Sequence, residues 1–279
     1  MKRGILYMLI STLAFTFLNV FVKSLHAFDV YQIVFFRAFG SLFFTVPFLI
    51  RHKISFLGNR KALLVLRSIF GLFSMTLFFM ALKHISMGTA VSIRYIAPIF
   101  AALFALIFLK EKIKPIQWLF FLIAFSGVLI LKGFGEVISS LGILYAFLSA
   151  LFVGLVYITI RKIGSNDHPV VIVNYFMVIS TVIGGILSIK NWNNPVGYEW
   201  LIFLSLGVFG YVAQLFMTKA FQVEETNQIA PLKYLEVLFT TIMGLIWFNE
   251  TYDIYIIIGM LVIITGLSLN MIVGRKKTS

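Results

Sequence analysis

FLKEK (residues 108–112) and WFNET (residues 247–251) stand 139 positions apart, and in the same ungapped register FSGVLI (125–130) meets ITGLSL (264–269). Working outward, the register pairs Phe70 with Phe209, Gly71 with Gly210, Ala81 with Ala220, Tyr95 with Tyr234, Glu111 with Glu250 and Gly127 with Gly266. Apolar coincidences carry little weight in a chain that is 61% hydrophobic. The rare residue types carry more: Lys23 falls on Lys162 and Arg94 on Lys233. The chain therefore reads as a duplication, with one unit at residues 1–133 and a second at 141–274.

Only 12% of the 279 residues are charged and 31 are Phe, a profile that excludes an ordinary soluble domain. Apolar runs at 4–22, 30–50, 62–82, 88–109, 115–132, 141–160, 169–189, 199–219, 226–248 and 252–273 are each long enough to cross the bilayer as a helix. The expected fold is an all-α integral membrane protein with ten transmembrane helices. Each half holds five spans, an odd number, so the second half enters the membrane from the opposite side and the two form inverted five-helix repeats. The connections are short, which leaves any function to the helices themselves.

The net charge of +13 reads as a topology signal and does not call for a nucleic-acid partner. With both termini in the cytoplasm, fifteen basic residues fall at inner ends, among them Lys2, Arg3, Arg51, Lys110, Lys112, Arg161 and Arg275 to Lys277. Only Lys23, Lys83, Lys132 and Lys190 fall outside. That bias implies a multi-pass protein of the cell (inner) membrane, in contact with membrane lipids. Met1-Lys2-Arg3 leads straight into an apolar run, read as an uncleaved first helix. The absence of cysteine excludes disulfides and thiolate metal sites, and the composition says nothing of oligomeric state.

Four basic residues remain inside the apolar runs, Arg37, Arg67, Arg94 and Lys233, with one acid, Glu236. An ionised group at the bilayer centre costs about 2.5–3.5 kcal/mol on the mildest scales, so the cluster requires a polar cavity or ligand to compensate it. Arg94 lies in SIRYIAP, where Pro98 lacks the amide that would bond the carbonyl of residue 94. Lys233 lies in APLKYLEV, with Glu236 three residues on and so on the same face. Tyr95 and Tyr234 neighbour the two cations and offer hydroxyls or ring faces. Arg37, in VFFRAFGS, shares its face with Gly40 and Ser41, and Arg67, in LRSIFG, has Gly71 one turn on; such small residues allow close helix approach. Arg67 either stretches to the nearer interface or pairs structurally, or else lines the pathway, and Glu236 either pairs with Lys233 or carries a proton. Subtracting Glu236 from the four cations leaves +3, which favours an anionic, zwitterionic or phosphate-bearing solute.

Other features read as structural. Glu111 and Glu250 stand where a carboxylate can satisfy helix N-terminal amides. Glycines 71, 127, 210 and 266 lack the strand and lysine context of a phosphate loop and read as packing positions. The four histidines are scattered over connections without metal-site spacing, and no nucleophile with its base, nucleotide motif or cofactor motif is visible. No metal, cofactor or enzymatic activity is expected.

The two five-helix halves, each with an acid closing its fourth helix (FLKEK, WFNET) and a late glycine in its fifth (FSGVLI, ITGLSL), resemble the EamA-type members of the drug/metabolite transporter superfamily over essentially the whole chain. FFRAFGS and LRSIFGLFSMTLFFMALKHISMGTAVSIRYIAPIF are similar to the branch with S-adenosylmethionine and riboflavin carriers. The resemblance implies a cavity lined by helices 1 to 4 and 6 to 9, with helices 5 and 10 peripheral. It places Arg37, Arg67, Arg94, Tyr95, Lys233, Tyr234 and Glu236 on lining helices as candidate substrate-binding residues. The basic pair that sugar-phosphate carriers of this superfamily bear in their ninth helix is not reproduced, because Tyr234 follows Lys233. The resulting expectation is a secondary transporter of a small polar metabolite. Its competitor is a membrane-embedded lipid-processing enzyme or flippase component that holds a phospholipid head group.

Overall fold

The computed structural model describes residues 2–109, 115–131, 139–223, 233 and 235–275. Its helices are α1 (Lys2–Ser24), α2 (Val30–Arg51), α3 (Lys61–His84), α4 (Met87–Arg94), α5 (Ala97–Leu109), α6 (Pro115–Leu131), α7 (Ser140–Ile163), α8 (Pro169–Ser188), α9 (Glu199–Val223), α10 (Leu235–Phe248) and α11 (Ile254–Arg275). No strand occurs among the described residues. Seven segments are long and apolar enough to span a membrane, with α4 and α5 forming one of them, and α6, α10 and α11 contribute shorter apolar helices. The chain is a multi-pass membrane protein.

The apolar run expected at 88–109 is two helices and not one. The α-helical ladder gives out at the turn of Tyr95 and Ile96, where Tyr95 N–H bonds the carbonyls of both Val91 and Ser92 and Ile96 N–H bonds that of Ile93. Pro98 supplies no N–H to the carbonyl of Arg94, so the tighter turn replaces a bond that could not form. The consequence is local: Arg94 ends α4 inside the bundle instead of lying on a continuous helix face.

The main interhelical contacts map onto themselves when the two sequence halves are exchanged. The packing of α3 on α7 has its mate in α9 on α1, and α2 on α9 has its mate in α8 on α3. The pairs α2 with α8 and α6 with α11 are their own mates. α6 and α11 form a pair beside the rest, in keeping with peripheral fifth and tenth helices, and small residues let them close up. A methyl group placed on Gly127 would come within 2.8 Å of Gly259 O, and one on Gly266 within 2.7 Å of Ala124 N.

Short polar side chains bolt the halves together, as expected where lipid offers no hydrophobic drive for helix association. Ser11 Oγ donates to Ala213 O at 2.8 Å, Thr45 Oγ1 to Asn174 Oδ1 at 2.8 Å, Ser41 Oγ to Gly207 O at 3.0 Å and Ser149 Oγ to Ser74 O at 2.8 Å. The tightest backbone-to-backbone approach is between α2 and α9, where a methyl group on Gly207 would stand 2.6 Å from Gly40 Cα. Gly207→Val should therefore lower the melting temperature of the detergent-purified protein by the equivalent of about 1–3 kcal/mol, the usual cost of overpacking; an unchanged melting temperature would show that the contact carries no stability.

Candidate functional site

A cavity with an empty volume of about 660 Å³, counting its mouth, lies where α1 to α4 of the first half meet α7 to α10 of the second. Arg37 of α2, Arg67 of α3, Arg94 and Tyr95 at the break after α4, Lys233, and Glu236 of α10 all line it. The structure thus brings together six of the seven residues singled out in the sequence. Tyr234 lies outside the described residues, as do Glu111 and Pro231.

Each cation rests on an aromatic ring or a sulfur atom. Arg67 Cζ sits 4.5 Å from the centroid of Phe176, which Arg37 also overlies at 5.9 Å, and Arg94 Cζ sits 4.3 Å from Phe78. Arg37 Nη1 also contacts Met75 Sδ. Lys233 Nζ donates to Tyr157 Oη at 3.1 Å, contacts Met217 Sδ at 3.4 Å and lies 5.8 Å from the ring of Tyr95. Such contacts contribute about 0.5–2 kcal/mol each, well short of the several kcal/mol that burying an ion costs. Two of them are related by the repeat. Phe78 and Met217 stand 139 positions apart, as Arg94 and Lys233 do, so the same position of each half carries the support for the same cation.

Glu236 does not pair with Lys233 within 4.0 Å. Its carboxylate instead accepts from Tyr95 Oη at 2.5 Å and from Asn19 Nδ2 at 3.2 Å. The salt bridge considered for it in the sequence gives way to two neutral donors, one from α1 and one from the α4 break. That arrangement leaves Lys233 facing the cavity with a phenol and a thioether. Arg37 and Arg67 do not reach solvent: they are 4% and 2% exposed, which removes the reading of Arg67 as a side chain stretched to the interface.

Tyr157, Phe176 and Gln214 belong to this wall, Asn19 supports Glu236, and all four were missed. Asn19 and Gln214 were findable, since an amide inside an apolar run has to be satisfied for the same reason as a charge. Tyr157 and Phe176 carried no signal in a chain that is 16% aromatic.

At the end of α1, Lys23 Nζ pairs with Glu250, which also accepts from Tyr252 Oη and from Met87 N at 3.1 Å. Glu250 does serve a helix N-terminus, as its position suggested, but the helix is α4 of the opposite half. Among the described residues no group of three His, Asp or Glu side chains is placed to hold a metal ion.

Fold and cavity together describe a membrane protein with a polar cavity between two similar halves. The family profile of the EamA-like transporters matches residues 2–132 and again 140–272, and the chain belongs to that family. It is similar to human solute carrier family 35 member G1, 29% identical over 94% of this chain and 77% of that one. It is also similar to the pseudopaline exporter of Pseudomonas aeruginosa, 27% identical over 95% of both chains, and to the S-adenosylmethionine uptake transporter of Rickettsia felis, 28% identical over 91% of this chain and 85% of the other. A solved crystal structure with 18% identity superposes with a TM-score of 0.66 over 100% of this chain and 99% of that one, a likeness of fold.

Tyr95→Phe removes a buried donor to a carboxylate and should cost about 1–2 kcal/mol of stability, seen as a lower melting temperature in detergent. Combined with Glu236→Gln, the loss should be smaller than the sum of the two single losses, because both changes act on one hydrogen bond. Strict additivity would mean that the pair is not coupled.

Proposed function

We propose that this protein is a secondary transporter of a small polar metabolite, anionic or zwitterionic, that works by alternating access in the cell membrane with both termini in the cytoplasm. The observation that carries the reading is the cavity itself, where four cations and one carboxylate face one space between two halves whose contacts interchange. In this reading α6, α10 and α11, with the residues flanking them, complete ten crossings, and the halves, at 1–133 and 141–274, are inverted repeats that rock about the site. Arg37, Arg67, Arg94, Tyr95, Lys233, Tyr234 and Glu236 are the proposed substrate-binding residues. Arg94 and Lys233, repeat-related and each set on its own half, grip the solute from two sides.

Family membership supports transport and leaves direction open, since relatives include one named as an exporter and another as an uptake transporter. The cation surplus supports the charge class, because a bound anion supplies the compensation that the protein's own side chains lack.

Purified protein in liposomes should move at least one carboxylate- or phosphate-bearing metabolite from a broad panel. Arg94→Ala should reduce that flux by about tenfold or more, the loss of one charge-assisted contact at about 1.4 kcal/mol per decade. Absence of flux across the whole panel, with the protein folded and inserted, would count against transport. Flux of cations alone would remove the anion reading.

A further inference from the structure

Four nitrogen positions in the cavity wall are buried and have no hydrogen-bond partner among the described residues: Arg37 Nε, Arg67 Nε, Arg67 Nη1 and Gln214 Nε2. Their side chains are at most 5% exposed. All four are donors, and none is an acceptor.

They also converge. Both guanidinium groups overlie the ring of Phe176, Arg67 at 4.5 Å and Arg37 at 5.9 Å. On α3, a methyl group at Gly71 would stand 3.0 Å from that ring and 3.3 Å from Arg67 Nη1. On α9, one at Gly210 would stand 3.1 Å from Arg37 Nε, and Gln214 lies one turn further along the same helix face. The two repeat-related glycines thus leave room for the two arginine side chains beside that ring, and Gln214 lines the same cavity.

No carboxylate among the described residues lies within 4.0 Å of either arginine. Glu236, the acid of the cavity, is engaged by Tyr95 and Asn19. Two like charges on a shared ring repel each other in a medium of low dielectric, and an aromatic face supplies no lone pair to their N–H groups. A single negative charge would leave one of them uncompensated, whereas two would neutralise both and occupy several of the free donors.

Resting on the transporter reading above, we propose that Arg37, Arg67 and Gln214 form an anion subsite that takes a doubly charged group of the solute, two neighbouring carboxylates or a phosphate monoester. The subsite is distinct from the grip of Arg94 and Lys233 and selects dianionic over monoanionic solutes.

The test is thermal stabilisation of the full chain in detergent at neutral pH by succinate, by succinamate, which replaces one carboxylate with an amide at the same length, and by inorganic phosphate. Succinate or phosphate should reach half-maximal effect at a concentration about tenfold or more below succinamate, the worth of one charge-assisted contact. Which of the two dianions acts separates the carboxylate source of the chemistry from the phosphate source. In Arg37→Gln and Arg67→Gln that advantage should shrink to about threefold or less. Gln214→Leu, which changes no charge, should weaken every anion alike and serves if an arginine variant does not fold.

Effects of succinate and of phosphate that are both no stronger than that of succinamate on the unaltered protein, or an advantage that survives both arginine substitutions, would overturn the subsite. So would the absence of stabilisation by all three at millimolar concentration when liposome flux of another solute is intact, and the transporter reading would then stand alone. Absence of both stabilisation and flux would overturn the two together.

Discussion

Holding four cations, three of them buried, against one carboxylate inside an apolar bundle is the constraint around which this molecule is arranged. In an apolar bundle each cation has to be met by rings, sulfur, hydroxyls or a visiting anion, and the structure uses the first three incompletely. Phe176, Phe78, Tyr157, Met75 and Met217 each serve at least one basic side chain. None of them carries formal charge. In the proposed reading the wall is preorganised for a negative partner at the cost of self-repulsion, the general condition of a binding site whose stability and function oppose each other.

Polar links between the halves hold that repulsion in place. Ser11, Ser41, Thr45 and Ser149 each reach across to the other half within 3.0 Å, and Gly40 meets Gly207 backbone to backbone. These contacts fix α1 to α3 against α7 to α9, while the α4 break and Lys233 sit at the cavity. The division follows from chemistry. Helices joined by hydroxyls and glycines pack closely, and a helix interrupted at a proline presents backbone and side chain to the space between them.

Much of this was legible in the sequence, for identifiable reasons. Charge inside an apolar run is rare and costly, so Arg37, Arg67, Arg94 and Lys233 announced the cavity before any geometry was known. The 139-residue register placed Arg94 and Lys233 as equivalents, and the structure adds that Phe78 and Met217 support them equivalently. Pro98 announced a missing hydrogen bond, but only the structure shows that the run divides into two helices there. Partner choice was not legible. The spacing of Lys233 and Glu236 on one face suggested a salt bridge, yet Tyr95 and Asn19, brought from distant positions, claim the carboxylate. Local spacing ranks neighbours on one helix and is silent about competitors on others.

Glu250 shows the same limit from a different side. Its place before α11 suggested a cap for that helix, whereas its oxygens serve Met87 N at the start of α4, the hydroxyl of Tyr252 and the ammonium of Lys23. One carboxylate so joins the end of α1, the start of α4 and the connection between α10 and α11. Lys23 also lies 5.6 Å from the ring of Phe248, and its repeat equivalent Lys162 lies 5.7 Å from Phe108, so the basic residue meets an aromatic at the end of a span in both halves. Under the alternating access proposed above, such a joint would break and reform in every cycle. A charged joint suits that task better than an apolar seam, because water that enters as it opens solvates both ions and replaces their hydrogen bonds, offsetting much of the lost pairing although the two side chains are only 18% and 9% exposed when closed. A seam of buried leucines would lose about 25 cal/mol for each Å² exposed and would hold the bundle in one state.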